Sequence, residues 1–290
     1  MAPYTHTTLG RLTSTSLLNS DTTNTAEALK MPPLRFPTTL HQEVAELTSS
    51  FFGAQARVDT VLVINSCARG LAVPDSDLDL AVLVTPTATA QEVLDLETAW
   101  RAFATAHPVV LRFRHAGRFT YVHVDVFDGQ FEPTLWDDGG GPDTFEVEIG
   151  NRIRHAAPIG ARGCHFEQLQ ARWLPYYDDD LRLRRLTMVR EACAYDLERV
   201  DFFLSRRLYF PAFDYLYKAF QEFLQALFIA RRTYPLSYTK WIEEQVADTL
   251  ALPELYRELP ALLSVRSIES TEVGEKANAL RRLLERWVQS

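Results

Sequence analysis

Two short apolar runs, Val61-Leu62-Val63-Ile64 and Leu80-Ala81-Val82-Leu83-Val84, bracket a polar segment and constrain the fold more than any other part of the chain. Runs of this length, rich in β-branched residues and bounded by turn formers, read as buried strands. Between them lie Asn65-Ser66-Cys67-Ala68-Arg69-Gly70 and the turn Val73-Pro74-Asp75-Ser76. The segment therefore predicts strand, polar turn, short helix and second strand. Alternation along the second strand projects Asp77 and Asp79 to one side and Leu78, Leu80 and Val82 to the other. Two like charges held side by side repel, and a chain tolerates them where a cation sits between.

Around this unit, Leu40, Val44, Leu47 and Phe51 recur at helical spacing and predict a helix ending at Gly53. Thr89-Ala90-Gln91-Glu92 has the form of a capping box, opening a helix with Val93, Leu96, Trp100 and Phe103 on one face. Val109–Arg114 and Phe119–Phe127 are expected as two strands of a hairpin turning at Gly117, and the alternating Phe145–Ile149 as a strand at the edge of the domain. After Gly160 and Gly163 the periods lengthen to helices over 179–206, 212–232, 238–250 and 270–288. The fold class is therefore α+β, with a strand-containing domain over 37–160 followed by an all-α helical bundle over 161–290. Residues 1–36, rich in Thr and Ser and closed by Pro32, Pro33 and Pro37, are expected as a poorly ordered extension.

The chain has 290 residues, 47% of them hydrophobic and 23% charged, enough to bury two cores. No run approaches the roughly 18 apolar residues that span a bilayer, and the N-terminus lacks an apolar signal-peptide core. A soluble, cytoplasmic protein with no membrane partner is expected. The formal net charge of −8 argues against a long nucleic-acid partner, which needs a basic stripe to displace counterions. Cys67, Cys164 and Cys193 are odd in number and lack paired spacing, so reduced thiols are expected.

In Tyr121-Val122-His123-Val124-Asp125-Val126-Phe127 the valines share one face, leaving Tyr121, His123 and Asp125 on the other. A third carboxylate can thus join Asp77 and Asp79 across a sheet. Three acids beside a polar turn suit divalent metal with phosphate, and the matching chemistry is two-metal phosphoryl or nucleotidyl transfer. An EF-hand beginning at Asp75 fails, because Leu80 stands where glycine is required and Pro86 where the bidentate glutamate belongs. Ser66 as a hydrolase nucleophile fails too, with Ile64 and Ala68 in the flanking glycine positions. Cys67 reads as a small buried residue, and His123 as a strand residue with a catalytic role open to it.

In the second half, Phe213–Ile229 is apolar around most of its circumference, with Asp214, Lys218, Gln221, Glu222 and Gln225 in one stripe facing solvent or a polar cleft. Lys218 is a candidate for triphosphate, or a partner of Asp214 at i, i+4. Lys240, in Tyr234-Pro235-Leu236-Ser237-Tyr238-Thr239-Lys240-Trp241, is a second candidate, at a helix start where an anion would offset its charge, or a surface lysine. A base should take the proton of the acceptor hydroxyl, and Glu146, Glu148 and Asp128 all stay open for that role.

Together, Asn65-Ser66-Cys67-Ala68-Arg69-Gly70, Ser76-Asp77-Leu78-Asp79-Leu80 and Asp125 resemble the signature of the DNA polymerase β-type nucleotidyltransferases: Gly-Ser, then Asp-x-Asp, then an Asp on a later strand. The likeness covers about 40–155. Asn65 stands where that family usually has glycine, and Asn is the residue after glycine best able to take left-handed backbone. The resemblance implies a mixed sheet with flanking helices, two Mg2+ ions on Asp77 and Asp79, one of them completed by Asp125, and a nucleotide held by Ser66 and Arg69. Residues of about 205–250 more loosely resemble the helical domain of kanamycin-type aminoglycoside nucleotidyltransferases. This implies that Lys218 and Lys240 reach the phosphates and that the acceptor sits between domains. The implied reaction moves a nucleoside monophosphate, AMP from ATP, to a hydroxyl of a small aminoglycoside-like acceptor, releasing pyrophosphate. A toxin–antitoxin type enzyme that nucleotidylates a protein, and a nucleotide-binding module without turnover, are the alternatives. A homodimer completing the site from a second subunit is also compatible.

Overall fold

In the computed structural model, which describes residues 34–133, 141–161 and 163–289, the Thr38 hydroxyl caps helix α1 (Thr39–Gly53) by accepting from the His41 amide. Strand β1 (Val58–Val63) follows, then the single turn α2 (Asn65–Ala68) and strand β2 (Leu78–Val84). Helix α3 (Ala90–Ala106) starts from the expected capping box, with Thr89 and Glu92 exchanging backbone hydrogen bonds. Next come α4 (Pro108–Arg114), β3 (Val122–Phe127), α5 (Phe145–Ile149), a π-helical turn at Gly150–Arg154, and β4 (Ala157–Ala161).

The described strands form one sheet in the order β3-β2-β1-β4, with β2 and β3 parallel and the other pairs antiparallel. This is the mixed sheet with flanking helices. Both faces of its centre are covered, which is why β1 and β2 read as continuous apolar runs. Val61, Val63, Leu80 and Val82 pack with Val44 and Phe52 of α1, Trp100 of α3 and Phe113 of α4. The alternate residues Leu62, Ala81 and Leu83 pack with Phe145, Ile149, Ile153 and Trp173 on the opposite face.

The remainder is helical: α6 (His165–Trp173), α7 (Asp179–Ser205), α8 (Tyr209–Ala230), a π-helical turn at Glu244–Thr249, α9 (Pro253–Leu262) and α10 (Glu272–Trp287). Leu216, Ala219, Phe223 and Leu227 of α8 lie in one core with Val189, Cys193, Leu197 and Val200 of α7 and Leu280 and Leu284 of α10. No helix among the described residues is long and apolar enough to cross a membrane.

Several elements differ from the sequence reading. Val109–Arg114 is a helix, not a hairpin strand, because His107 caps it and Pro108 opens its first turn, leaving Val110 and Phe113 to bury at i, i+3. Consequently β3 has no hairpin partner and pairs in parallel with β2. Phe145–Ile149 is also helical: a period of two and a helical i, i+4 repeat coincide over five residues, and Phe145 and Ile149 are both buried. Helices α6 and α9 and strand β4 carry no clear sequence signal, and Pro253 opens α9 where it reads as a breaker. The expected extension over 1–36 falls outside the described residues apart from Leu34, Arg35 and Phe36.

The polar stripe of α8 does not face solvent as a unit. Glu222 and Gln225 are fully buried, and Gln225 Nε2 donates to Glu146 Oε2 at 3.0 Å. Glu146, also fully buried, accepts from Arg185 Nε at 2.6 Å and Nη2 at 2.7 Å and from the Tyr177 hydroxyl at 2.8 Å. This carboxylate fastens α5 to α7 and α8, a structural task that removes Glu146 from the candidate bases.

Candidate functional site

The geometry begins at Asn65, whose backbone φ of 56° is the left-handed conformation expected of a residue replacing glycine. Its side chain adds what glycine lacks, because Asn65 Nδ2 donates to Asp79 Oδ2 at 2.9 Å. Ser66 follows on α2 and Arg69, its side chain almost fully buried, at the C-terminal cap of that turn, both facing Asp77 and Asp79 at the start of β2 across a cleft of about 490 Å³. The far wall is contributed by Asn151 and by the turn carrying Ser237, Lys240 and Trp241. Five of the seven residues assigned to metal or nucleotide from sequence, Ser66, Arg69, Asp77, Asp79 and Lys240, thus line one cleft.

The acids influence one another. The Asp79 carboxyl is pushed above its ordinary value, first by burial and then, against the Asn65 hydrogen bond, by the charges of Asp77 and Asp125. Cys67, buried beneath them with its Sγ 3.7 Å from the Asp77 carbonyl, is pushed up to about 12 by burial, Asp79 and Asp77, so it is an inert packing residue. His41 on α1, missed by sequence reasoning, supports the acidic turn from behind. Its Nε2 lies 3.0 Å from the Ser76 carbonyl, which can only accept, so Nε2 carries the proton. Nδ1 then accepts from the Thr38 hydroxyl at 2.7 Å.

Asp125 stands one strand over, opposite Ala81 in the parallel register, with His123 opposite Asp79. Its carboxylate is occupied: His123 Nε2 is 3.0 Å from Oδ1, and Arg152 Nη2 is 3.5 Å from Oδ2. Accordingly, among the described residues no three His, Cys, Asp or Glu side chains are grouped to hold a metal ion. Arg152, arriving on the π-helical turn after α5, instead supplies Asp125 with positive charge. What remains is the Asp77 and Asp79 pair, whose oxygen donors and mutual repulsion fit one divalent cation.

Arg152 also lies 3.8 Å from Glu148, linking that half-exposed carboxylate to Asp125. Asp128 is exposed, with Oδ1 accepting from the Gln130 amide. Lys218 does not line the cleft; it sits on α8 over the Tyr215 ring and acts on the buried pair Asp196 and Glu222. Lys240 lies in a turn immediately before the helical stretch that starts at Ile242, with its amide donating to Ser237 Oγ at 3.2 Å.

That turn is fixed by a residue without any sequence signal. Gln245 is buried and its Oε1 accepts from the Leu236 amide at 2.6 Å, while its Nε2 donates to the carbonyls of Ser237 and Lys240, both at 2.8 Å. Gly150 lets the turn approach closely, since a Cβ there would lie 2.1 Å from the Pro235 carbonyl oxygen. Arg69 reaches the same turn: Nη1 is 2.5 and 2.6 Å from the two Glu244 oxygens, and the guanidinium lies 4.7 Å over the Trp241 ring. Its charge is therefore balanced by Glu244. Nearby, His155 is pushed down to about 4, first by burial and then by the charges of Arg154 and Arg69.

No family model and no curated protein sequence matches the chain. Among solved structures, the chain is similar to a nucleotidyltransferase-like protein from Exiguobacterium sibiricum 255-15, with 11% identity and a TM-score of 0.38 over 84% of this chain and 74% of that one.

Proposed function

We propose that the cleft binds a nucleoside triphosphate with a divalent cation and transfers its nucleoside monophosphate, AMP from ATP, to a hydroxyl of a small acceptor. The observation that carries this reading is the convergence of Asp77 and Asp79 with Ser66 and Lys240 on one cleft. Acids and a phosphate-binding lysine belong together where a metal-complexed polyphosphate lies between them. Asp77 and Asp79 would hold magnesium, which when bound neutralises the triphosphate. Lys240 and the Ser66 hydroxyl would bind phosphate oxygens and orient the chain for in-line displacement of pyrophosphate. Glu148 is the best-supported base for the acceptor proton, since Glu146 is sealed in the interior and Arg152 ties Glu148 to Asp125.

The experiment is magnesium-dependent pyrophosphate release from ATP with a panel of hydroxylated acceptors, read by mass spectrometry as one added nucleotide. Asp77→Asn and Asp79→Asn should abolish release while circular dichroism and the melting temperature stay near wild type. Full activity in both variants would sink the mechanism. A binding module without turnover is favoured by one observation, the hold of Arg152 and His123 on Asp125. Tight magnesium-dependent ATP binding with no pyrophosphate from any acceptor would decide for it.

A further inference from the structure

Trp241 is unusual in backbone and in setting. Its φ is 59°, a left-handed conformation that a bulky side chain rarely adopts, and the residue is 41% exposed although it lines a cleft of charged and polar groups. Strain of this kind persists only where the surroundings over-determine it. Here they do. The Gln245 amide donates to the Trp241 carbonyl at 2.9 Å, and the Gln245 side chain binds the backbone on the preceding residues of the turn. One face of the indole is backed by the Arg69 guanidinium, itself almost fully buried and held through Nη1 by both Glu244 carboxylate oxygens. The result is a rigid aromatic plate, braced behind and left open in front.

We infer that the Trp241 ring is the stacking surface for the nucleobase, which makes it a specificity-determining residue of the reaction proposed above and rests on that reading. A nucleoside triphosphate carries charge at one end and a planar π face at the other. The cleft is arranged the same way, with Asp77, Asp79 and Lys240 for the charged end and one exposed aromatic plate for the planar end. Stacking tolerates every base, so the plate would favour purines by surface area without a hydrogen-bond code.

The test uses the full chain with magnesium, with ATP and inorganic tripolyphosphate as calorimetric probes. In Trp241→Ala the ATP affinity should fall about tenfold or more, the range that base–aromatic stacking supplies, and the tripolyphosphate affinity should hold within about twofold. Trp241→Phe keeps a stacking face and should bind ATP within about fivefold of wild type. In that variant the ATP-induced quenching of tryptophan emission should be lost. This readout does not depend on Trp241→Ala folding. Unchanged ATP affinity in Trp241→Ala, equal losses for ATP and tripolyphosphate, or undiminished quenching in Trp241→Phe would each overturn the inference and leave triphosphate binding standing. A change confined to the KM of the acceptor would reassign the plate to the acceptor and overturn it likewise. Wild-type protein that binds neither probe would overturn the proposed function, and this inference with it.

Discussion

Replacing Glu146 with alanine tests the junction between the sheet and the helical bundle. The carboxylate is fully buried and accepts four hydrogen bonds, two from Arg185 and one each from Tyr177 and Gln225, at 2.6 to 3.0 Å. Truncation strips Arg185 of one of its carboxylate partners among the described residues, leaving Asp143, whose oxygens are both 2.9 Å from Nη2. Breaking a buried ion pair from one side costs about 3–5 kcal/mol. The Gln225 and Tyr177 donors each lose a charged acceptor, worth about 1.5–3 kcal/mol apiece in isolation, although Tyr177 retains Tyr176 as a neighbour and such terms do not add. A destabilisation of about 4 kcal/mol is the expected result, large against total stabilities of roughly 5–15 kcal/mol. Urea denaturation followed by tryptophan fluorescence measures it, since Trp173 packs on Phe145 one residue from the substitution. The double variant Glu146→Leu with Arg185→Met should recover more than half of the loss, as buried pairs replaced by apolar groups usually do. A single-variant cost below about 1 kcal/mol would refute the assignment of a buried, charge-paired Glu146.

Glu222, beside Asp196 between α7 and α8, is pushed up to about 9 by burial and by the Asp196 charge, with Lys218 opposing. The folded state thus keeps a proton that the unfolded chain releases near the ordinary carboxylate value, so stability is full below that value and declines as pH rises toward about 9. Urea midpoints between pH 5 and pH 9 should fall more steeply for wild type than for Glu222→Gln, and parallel profiles would contradict the buried acid pair. Iodoacetamide at pH 8 should label native protein rapidly at Cys164, the exposed thiol, and leave Cys67 and Cys193 until unfolding, as read by peptide mass spectrometry. Gly150→Ala should lower stability by about 1–3 kcal/mol in a thermal melt, the usual cost of overpacking, because its Cβ would collide with the backbone of the turn that carries Lys240. A melt unchanged from wild type would show that the turn is free to move.

Much of the acidic wall of the cleft was legible in the residues themselves. Ser66, Asp77 and Asp79 sit close in sequence, flanked by strands whose apolar runs are unambiguous, so local pattern places them at one end of the two central strands. The left-handed demand at Asn65 was likewise visible as a residue type and is met at φ 56°. Short segments were illegible for a definite reason. Over five to seven residues, as in Pro108–Arg114 and Phe145–Ile149, strand and helix periodicities predict overlapping buried sets, and only packing separates them.

The sequence by itself determined the class of fold, the two strands that carry the acids, and Lys240 as a candidate phosphate ligand. Tertiary structure decided which charges are free to act. Long-range pairing took Glu146 into the interior with Arg185, took Arg69 to Glu244 and Trp241, and set Arg152 against Asp125, while Lys218 was left with the buried acids of the bundle. A charged side chain announces itself in a sequence, but its partner is chosen by burial, where an unpaired charge is too costly to leave alone.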